Sequence, residues 1–251
     1  MRRMRYELKD KVVLITGGAA GIGRDLVIQA AQKGAKVVFC DVNQQNSKDL
    51  RVELKVKGLH VHPIICDISD DKQVEAMYAE IMKEYGRIDV LINNAAIQTE
   101  ASIAKTTCQD FKKVIGVNLI GAFYCMKFAE QEMKPGSVMI NIVSIYYNKA
   151  RLNKYAYDAA KAGLASLTRE FALELGSRDI AVNAIYPGFV MTPMQNDMSE
   201  EAYQKGISKN LLKQSDASTS KGFAEYVLSY IEDFSHATTG QILGVDAGRG
   251  L

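Results

Sequence analysis

Short runs of apolar residues alternate along the chain with longer amphipathic segments. The apolar runs predict seven strands, at residues 12–16, 36–40, 60–66, 89–93, 137–143, 180–185 and 241–245. Between them, apolar residues at helical spacing predict helices over residues 22–33, 44–57, 71–85, 110–117, 119–134 and 157–175. Because the strands are almost continuously apolar and are separated by helices, they are typical of a parallel sheet that is covered on both faces.

The expected fold class is α/β, a Rossmann-like, doubly wound, seven-stranded and mostly parallel sheet with helices on both faces. The chain has 251 residues, and it lacks a Pro- or Gly-rich linker, so we expect one domain over residues 1–251. The least regular stretch, residues 188–220, is polar and rich in Ser, Lys and Gln. We expect it to form a lid over a substrate site.

Composition and charge narrow the range of partners. Lys plus Arg total 31 and Asp plus Glu total 29, so the net charge of +2 gives no reason to expect nucleic acid. The sequence shows no apolar run of membrane-spanning or signal-peptide length, so we expect no membrane partner and a cytoplasmic location. Four widely spaced cysteines are expected to be reduced, buried thiols, and three scattered histidines give no metal site: Cys40, Cys66, Cys108, Cys125, His60, His62 and His236.

A glycine-rich turn joins the first strand to the first helix. Residues 16–23 read TGGAAGIG. Glycines allow the backbone to approach a pyrophosphate closely, and the N–H groups at the start of a helix favour an anion. Such a loop alone also occurs as an ordinary tight turn, but the strand before it and the helix after it favour a dinucleotide site.

An acidic residue follows the second strand. Asp41 lies eighteen residues beyond Gly23, where a carboxylate can accept hydrogen bonds from an adenosine ribose and repel a 2′-phosphate. Ala20 and Val42 supply no cation for that phosphate, and Arg24 could equally face solvent. We therefore expect NAD as the cofactor, with NADP less favoured.

Tyr157 and Lys161 are four residues apart in a predicted helix, so their side chains leave it on one face. A phenol titrates near pH 10 and needs about 4 kcal/mol of help to act as a base near neutrality, which a fixed ammonium could supply. Such a pair is often only a surface contact. Tyr155 is six residues from Lys161 and lies off that face, so it is a weaker candidate.

The order of these motifs resembles the short-chain dehydrogenase/reductase family from about residue 8 to residue 248. The matching positions are residues 16–23, Asp67 after the third strand, the Asn93-Asn94-Ala95-Ala96 segment, and Asn118, Ser144, Tyr157 and Lys161. The four-residue Tyr–Lys spacing and the cofactor loop fit the family's enoyl-reductase branch poorly. The resemblance implies an oxidoreductase that interconverts a secondary alcohol and a ketone.

The resemblance also implies roles for a catalytic tetrad. Tyr157 would take the alcohol proton, Ser144 would bind the substrate oxygen, and Lys161 would lower the pKa of Tyr157 and hold the nicotinamide ribose. Asn118 would hold a water in a proton relay. The residues then expected to bind the cofactor are Gly17, Ala20, Gly21, Ile22, Gly23, Asp41, Val42, Asp67, Ile68, Asn94, Ala95, Tyr157, Lys161, Pro187, Gly188, Val190 and Thr192.

Two alanines depart from the family pattern. Ala96 and Ala247 stand where the family usually has glycine, so we expect differences in local geometry and assembly more than in chemistry. The two long helices, residues 119–134 and 157–175, join family members into tetramers, and the resemblance therefore implies a homotetramer.

The sequence leaves the substrate open. Substrate contacts are expected from Ser144, Tyr157, Gln98 and Asn148, and the last two would suit a sugar or a hydroxy acid. Met191, Met194, Met198, Tyr146 and Tyr147 would instead suit a larger apolar molecule such as a steroid, and a hydroxyacyl compound is also compatible. Two alternatives remain: an NADPH-dependent 3-oxoacyl or carbonyl reductase, and a non-enzymatic dinucleotide-binding regulatory protein.

Overall fold

The computed structural model describes residues 6–191, 199–213 and 216–250. The strands are β1 Val12–Thr16, β2 Lys36–Asp41, β3 Val61–Ile65, β4 Ile88–Asn93, β5 Met133–Ile142, β6 Ala181–Pro187 and β7 Ile242–Val245. The α-helices are α1 Gly21–Gln32, α2 Gln44–Val56, α3 Asp71–Tyr85, α4 Cys108–Ile115, α5 Ala122–Glu132, α6 Tyr155–Leu175, α7 Glu200–Ile207 and α8 Ser220–Phe234. A π-helical turn, Gly116–Gly121, joins α4 to α5.

The strands form one sheet in the order β3-β2-β1-β4-β5-β6-β7, and each neighbouring pair is parallel. Strands β2 and β3 lie on one side of β1, and β4 to β7 follow in order on its other side. The carboxyl ends of β1 and β4 therefore flank the point where the strand order reverses, where ligands bind in open α/β sheets.

Two apolar cores cover the sheet. On one face, Leu26 of α1, Leu54 of α2 and Val227 of α8 are fully buried with alternate strand residues. On the other, α3, α5 and α6 pack in the same way through Ile81 and Met126, among others. The structure confirms the predicted doubly wound α/β fold.

The predicted and observed elements differ at a few places. The helices expected at residues 110–117 and 119–134 run into one another through the π-helical turn, so no break separates them. Helix α8 was not predicted, and α7 together with a 3-10 turn at Asp216–Ser218 lies inside the stretch expected to be a loop. Residues 192–198 and 214–215 of that stretch, including Thr192, Met194 and Met198, lie outside the described residues.

The cysteine prediction holds for three positions and is wrong for one. Cys40, Cys66 and Cys125 are buried free thiols, whereas the free thiol of Cys108 is exposed because it begins the short helix α4 at the protein surface. Ala247, which stands where the family usually has glycine, has a left-handed backbone with φ of 54°, a region that residues with a Cβ seldom adopt. Within the described ranges, none of the helices combines the length and the apolar character that a membrane crossing needs.

Candidate active site

A cleft of about 970 Å³ lies along the carboxyl edge of the sheet. The residues predicted to bind cofactor or substrate that line it are Gly17, Ala20, Gly21, Ile22, Asp41, Val42, Asp67, Ile68, Asn94, Ala95, Gln98, Ser144, Tyr157, Lys161, Pro187, Gly188 and Val190. Segments far apart in sequence therefore meet at one site. Asn148 is exposed and is not among the lining residues, and Thr192 lies outside the described part of the chain.

The glycines of the first turn are required by close packing. Gly17 has φ of 64°, and a Cβ there would lie 2.7 Å from the Cα of Ala95. A Cβ at Gly23 would lie 1.9 Å from the carbonyl oxygen of Gly17, so Gly23 supports the loop from beneath instead of lining the cleft. Substituting either glycine would push the loop outward.

The start of α1 is open to an anion. Its N-cap, Ala20, makes no side-chain hydrogen bond, and the first turn contains no acidic residue. The first N–H groups of a helix lack intrahelical partners and carry partial positive charge. Together with the glycine turn, this end of the cleft fits the pyrophosphate of a dinucleotide.

Thr16 and Asn94 hold the loop against the end of β4. The Thr16 hydroxyl accepts hydrogen bonds from the backbone N–H groups of Asn94 and Ala95, both at 3.0 Å. The Asn94 amide donates in return to the carbonyl oxygens of Thr16 and Gly17, at 2.9 and 3.0 Å. Asn94 and Ala95 thus hold the glycine-rich turn in place.

Asp41 is fixed at the end of β2. Its carboxylate accepts hydrogen bonds from the backbone N–H groups of Ala19 at 3.0 Å and Asn43 at 2.9 Å. Arg24, the cation nearest in sequence to the loop, donates to Glu53 at 2.5 Å. The position of Asp41 is therefore set by the backbone, and the guanidinium beside the loop already has a carboxylate partner.

A buried polar chain connects the sheet to α6. The Asn93 amide donates to Asn141 at 2.9 Å, and the Asn141 amide donates to the hydroxyl of Thr168 at 2.9 Å. The Lys161 ammonium, only 1% exposed, donates to the carbonyl oxygen of Ile142 at 2.6 Å. Because buried polar groups require partners, these bonds fix α6 against the ends of β4 and β5.

Tyr157, Ser144 and Lys161 all line the cleft. Burial raises the pKa of Tyr157 above its usual value, while the Arg151 charge and a hydrogen bond with the Ser144 side chain lower it. The ammonium of Lys161 lies 5.8 Å from the centre of the Tyr157 ring, and burial lowers its pKa to about 8. Tyr155, the weaker candidate, is exposed.

Asn118 lies fully buried behind the cleft, in the π-helical turn. Its side chain accepts a hydrogen bond from the N–H of Ile97 and donates one to the carbonyl oxygen of Ile97, both at 2.8 Å. In this structure, Asn118 therefore fixes the segment after β4. Both its side-chain polar atoms are engaged by that backbone.

Four cations that line the cleft were not among the site residues predicted from the sequence. Arg151, Lys154, Lys113 and Arg249 all line the cleft. The guanidinium of Arg151 lies 4.0 Å from the ring centre of Tyr146 and 5.4 Å from that of Tyr157. Spacing in the sequence gave no signal for Lys154, because it lies before α6 and its contacts with Gln98 and Glu100 come from a distant segment.

Comparison with known proteins agrees with the family resemblance seen in the sequence. A family model described as enoyl-(acyl carrier protein) reductase matches residues 17–249. The 3-oxoacyl-(acyl-carrier-protein) reductase FabG of Thermotoga maritima is 35% identical over 246 residues, covering 96% of this chain and 98% of the relative. A (2S)-((R)-hydroxy(phenyl)methyl)succinyl-CoA dehydrogenase subunit, BbsD of Thauera aromatica, is 32% identical and covers 97% and 98% of the two chains.

The fold is also similar to solved structures. A blue fluorescent protein from a metagenomic library, in complex with NADPH, superposes with a TM-score of 0.89 at 28% identity, covering 98% of this chain and 100% of that one. These similarities span nearly the whole chain and agree with the cleft geometry. The chain is therefore an oxidoreductase of the class that acts on alcohol and carbonyl groups with a nicotinamide dinucleotide, and it belongs to the short-chain dehydrogenase/reductase family.

Proposed function

We propose that this protein is an NAD-dependent dehydrogenase that interconverts a secondary alcohol and a ketone, with Tyr157 as the general base. One observation carries the proposal. Ser144 and Tyr157 line the same cleft, where the Ser144 side chain lowers the pKa of the Tyr157 phenol, and the buried Lys161 lies one turn along α6 in that cleft, which begins at the glycine loop.

Residues along the cleft would hold the dinucleotide from end to end. Asp41 and Asp67 line the end suited to the adenosine, the glycine loop and the start of α1 suit the pyrophosphate, and Lys161 lies at the end suited to the nicotinamide ribose. The other residues expected at this ligand remain Val42, Ile68, Asn94, Ala95, Pro187, Gly188 and Val190. When bound, the nicotinamide supplies the exchange of a hydride with the carbinol carbon.

In this proposal, side chains of the protein carry out the proton transfer. The Tyr157 phenolate would accept the alcohol proton, and the Ser144 hydroxyl would donate a hydrogen bond to the same substrate oxygen, stabilising charge on it. With a pKa of about 8, Lys161 is mainly protonated at neutral pH. Its ammonium, 5.8 Å from the centre of the Tyr157 ring, would stabilise the phenolate electrostatically. Asn118 keeps the adjoining loop in place through Ile97, and its expected water relay remains a proposal.

The preference for NAD rests on charge at the ribose end. Asp41 has a fixed carboxylate there, Val42 beside it is 66% exposed and apolar, and Arg24 is paired with Glu53. The Asp41 carboxylate would repel a 2′-phosphate, and Arg24 would have to leave Glu53 to bind it. A ribose with free hydroxyls would instead donate hydrogen bonds to Asp41.

A second candidate is an NADPH-dependent reductase of 3-oxoacyl compounds. It is favoured by the relative from Thermotoga maritima, a 3-oxoacyl reductase, and by the NADPH in the similar metagenomic structure. The same tyrosine and serine would then serve reduction, with Tyr157 donating the proton.

Two measurements test the proposal. NADH and NADPH are titrated by fluorescence, with NADH expected to bind at least about tenfold more tightly. Asp41→Asn, which keeps the shape but removes the charge, should reduce that ratio. A panel of sugars, polyols, hydroxysteroids and hydroxyacyl esters is then assayed with NAD. Tighter binding of NADPH by the unaltered protein would reverse the cofactor assignment and favour the second candidate.

A further inference from the structure

A buried ammonium group lies beside the proposed reaction centre. Lys154 is 7% exposed, immediately precedes α6, and lines the same cleft as Tyr157 three residues later. Burying a charged group is unfavourable unless a partner compensates for the lost water. The buried ammonium of Lys154 therefore requires a negatively charged partner.

The present partners of Lys154 leave room for a ligand. Its ammonium donates to a carboxylate oxygen of Glu100 at 2.7 Å and to the side-chain oxygen of Gln98 at 3.1 Å. An ammonium has three N–H donors, so a third can reach a molecule in the cleft. The Glu100 side chain is 65% exposed, and a surface carboxylate of this kind can be replaced by another carboxylate at little expense.

The wider charge distribution favours an anion at this end of the cleft. Lys113, Arg151 and Arg249 line the cleft as Lys154 does, Arg151 being paired with Asp158 at 3.0 Å, and Glu100 is one of three acidic lining residues. The other two acidic lining residues, Asp41 and Asp67, follow β2 and β3 at the adenosine end. A cleft with cationic walls raises the local concentration of anionic substrates.

We infer that the substrate is a short hydroxy acid whose free carboxylate binds Lys154 and Gln98 while its hydroxyl binds Ser144 and Tyr157. This inference rests on the proposed function. Lys154 precedes Tyr157 by three residues and both line the cleft, so we expect an acid short enough for its carboxylate and its hydroxyl to reach the two side chains together. A thioester is neutral at that position, so this site favours the free acid over an acyl thioester.

The experiment compares short 2-, 3- and 4-hydroxy acids with their methyl esters, each with NAD. A charge-assisted hydrogen bond from a buried lysine should make kcat/KM roughly 10- to 100-fold higher for the preferred acid than for its ester. In Lys154→Met that acid-to-ester ratio should fall close to one, chiefly through the KM of the acid. Lys154→Arg should restore part of the ratio because it keeps the cation.

Lys48→Met is the matched control, because Lys48 is exposed on α2 and should leave the ratio unchanged. Equal use of acid and ester by the unaltered protein overturns the inference, as does an equal loss for both in Lys154→Met. If neutral alcohols are oxidised and hydroxy acids are not, the inference fails while the proposed function stands. If NADH does not bind and no alcohol is oxidised, both fail.

Discussion

Arg151 exerts an electrostatic effect on Tyr157 that motif spacing could not reveal. Its guanidinium lies 5.4 Å from the tyrosine ring and lowers the pKa of Tyr157, against the larger effect of burial. Removing the charge in Arg151→Met should raise that pKa further. Because the base must be deprotonated, the rising limb of the pH profile for alcohol oxidation should move to higher pH.

Asp158 provides a control of opposite sign. It forms a salt bridge with Arg151 at 3.0 Å and raises the pKa of Tyr157. Asp158→Asn should therefore move the same limb to lower pH, and the double variant should lie between the two single variants. A profile that is unchanged in both single variants would exclude this electrostatic role. The measurement is kcat/KM against pH at saturating cofactor.

Lys161 links stability to pH. Burial lowers its pKa to about 8 from the usual 10.5, so between these values the unfolded chain binds more protons than the folded protein. Stability from this group therefore rises as pH increases through that window. The difference in free energy of unfolding, Lys161→Met minus the unaltered protein, should be largest near pH 7. It should decrease by on the order of 3 kcal/mol by pH 10.5.

Urea unfolding of the cofactor-free proteins at several pH values measures this difference. Lys48→Met removes an exposed lysine and should show no such trend. The pH dependence is the test, because Lys161→Met also loses the hydrogen bond to Ile142, which shifts its stability equally at all pH values. A pH-independent difference would mean that Lys161 is not a buried ammonium in the folded protein.

At the scale of elements, the π-helical turn fixes the segment after β4 through one side chain. In Asn118→Ala the N–H and the carbonyl oxygen of Ile97 would both lose their partners, which costs about 2–4 kcal/mol for two partly buried groups. The free energy of unfolding in urea should fall by that amount. Asn148→Ala removes an exposed asparagine and should change it by less than about 0.5 kcal/mol. Equal effects would show that the Ile97 bonds carry no stability.

A strand or helix could be predicted where the apolar pattern of its own residues reflects which of them are buried. Strands such as Val12–Thr16 are buried at every position, and their apolar runs predict them directly. Helix α8 buries Phe223, Val227 and Ile231 at helical spacing, so its signal was present but lay outside the predicted elements. The π-helical turn was not predictable, because Asn118 bonds to Ile97, which is twenty-one residues away.

The site could be predicted only in its motif-bearing part. Tyr157 and Lys161 share a helix, and their relation follows from spacing alone. Lys154, by contrast, depends on Gln98 and Glu100, which are brought to it by the fold of the whole sheet. Asn148 looked like a substrate contact because of its polarity, yet the short turn after β5 leaves it exposed.

At the scale of the whole molecule, an apolar groove marks the face that we propose for assembly. It lies between the start of α5 and α6 and is lined by Leu119, Ile120, Phe123, Gly163 and Leu167. We expect one folding domain that assembles as a homotetramer through these helices. Light scattering should give a mass four times that of one chain, and Ile120→Glu should yield smaller species because it places a charge in an apolar interface.

Val52→Glu is the matched control for this face. Val52 is 54% exposed on α2 and Ile120 is 40% exposed, so neither change disturbs the core. The control should retain the mass of the unaltered protein. A monomeric mass for the unaltered protein would refute the tetramer, and an equal loss of mass in both variants would show that the groove is not the interface.

Turnover by Tyr157→Phe tests the central claim most directly, with NADH affinity measured on the same sample. Removing the phenol hydroxyl should lower kcat by roughly 100- to 10,000-fold and leave the NADH Kd within about threefold. Tyr155→Phe, at an exposed position, should behave as the unaltered protein. Full turnover by Tyr157→Phe would contradict the account, because proton transfer would then not pass through that phenol.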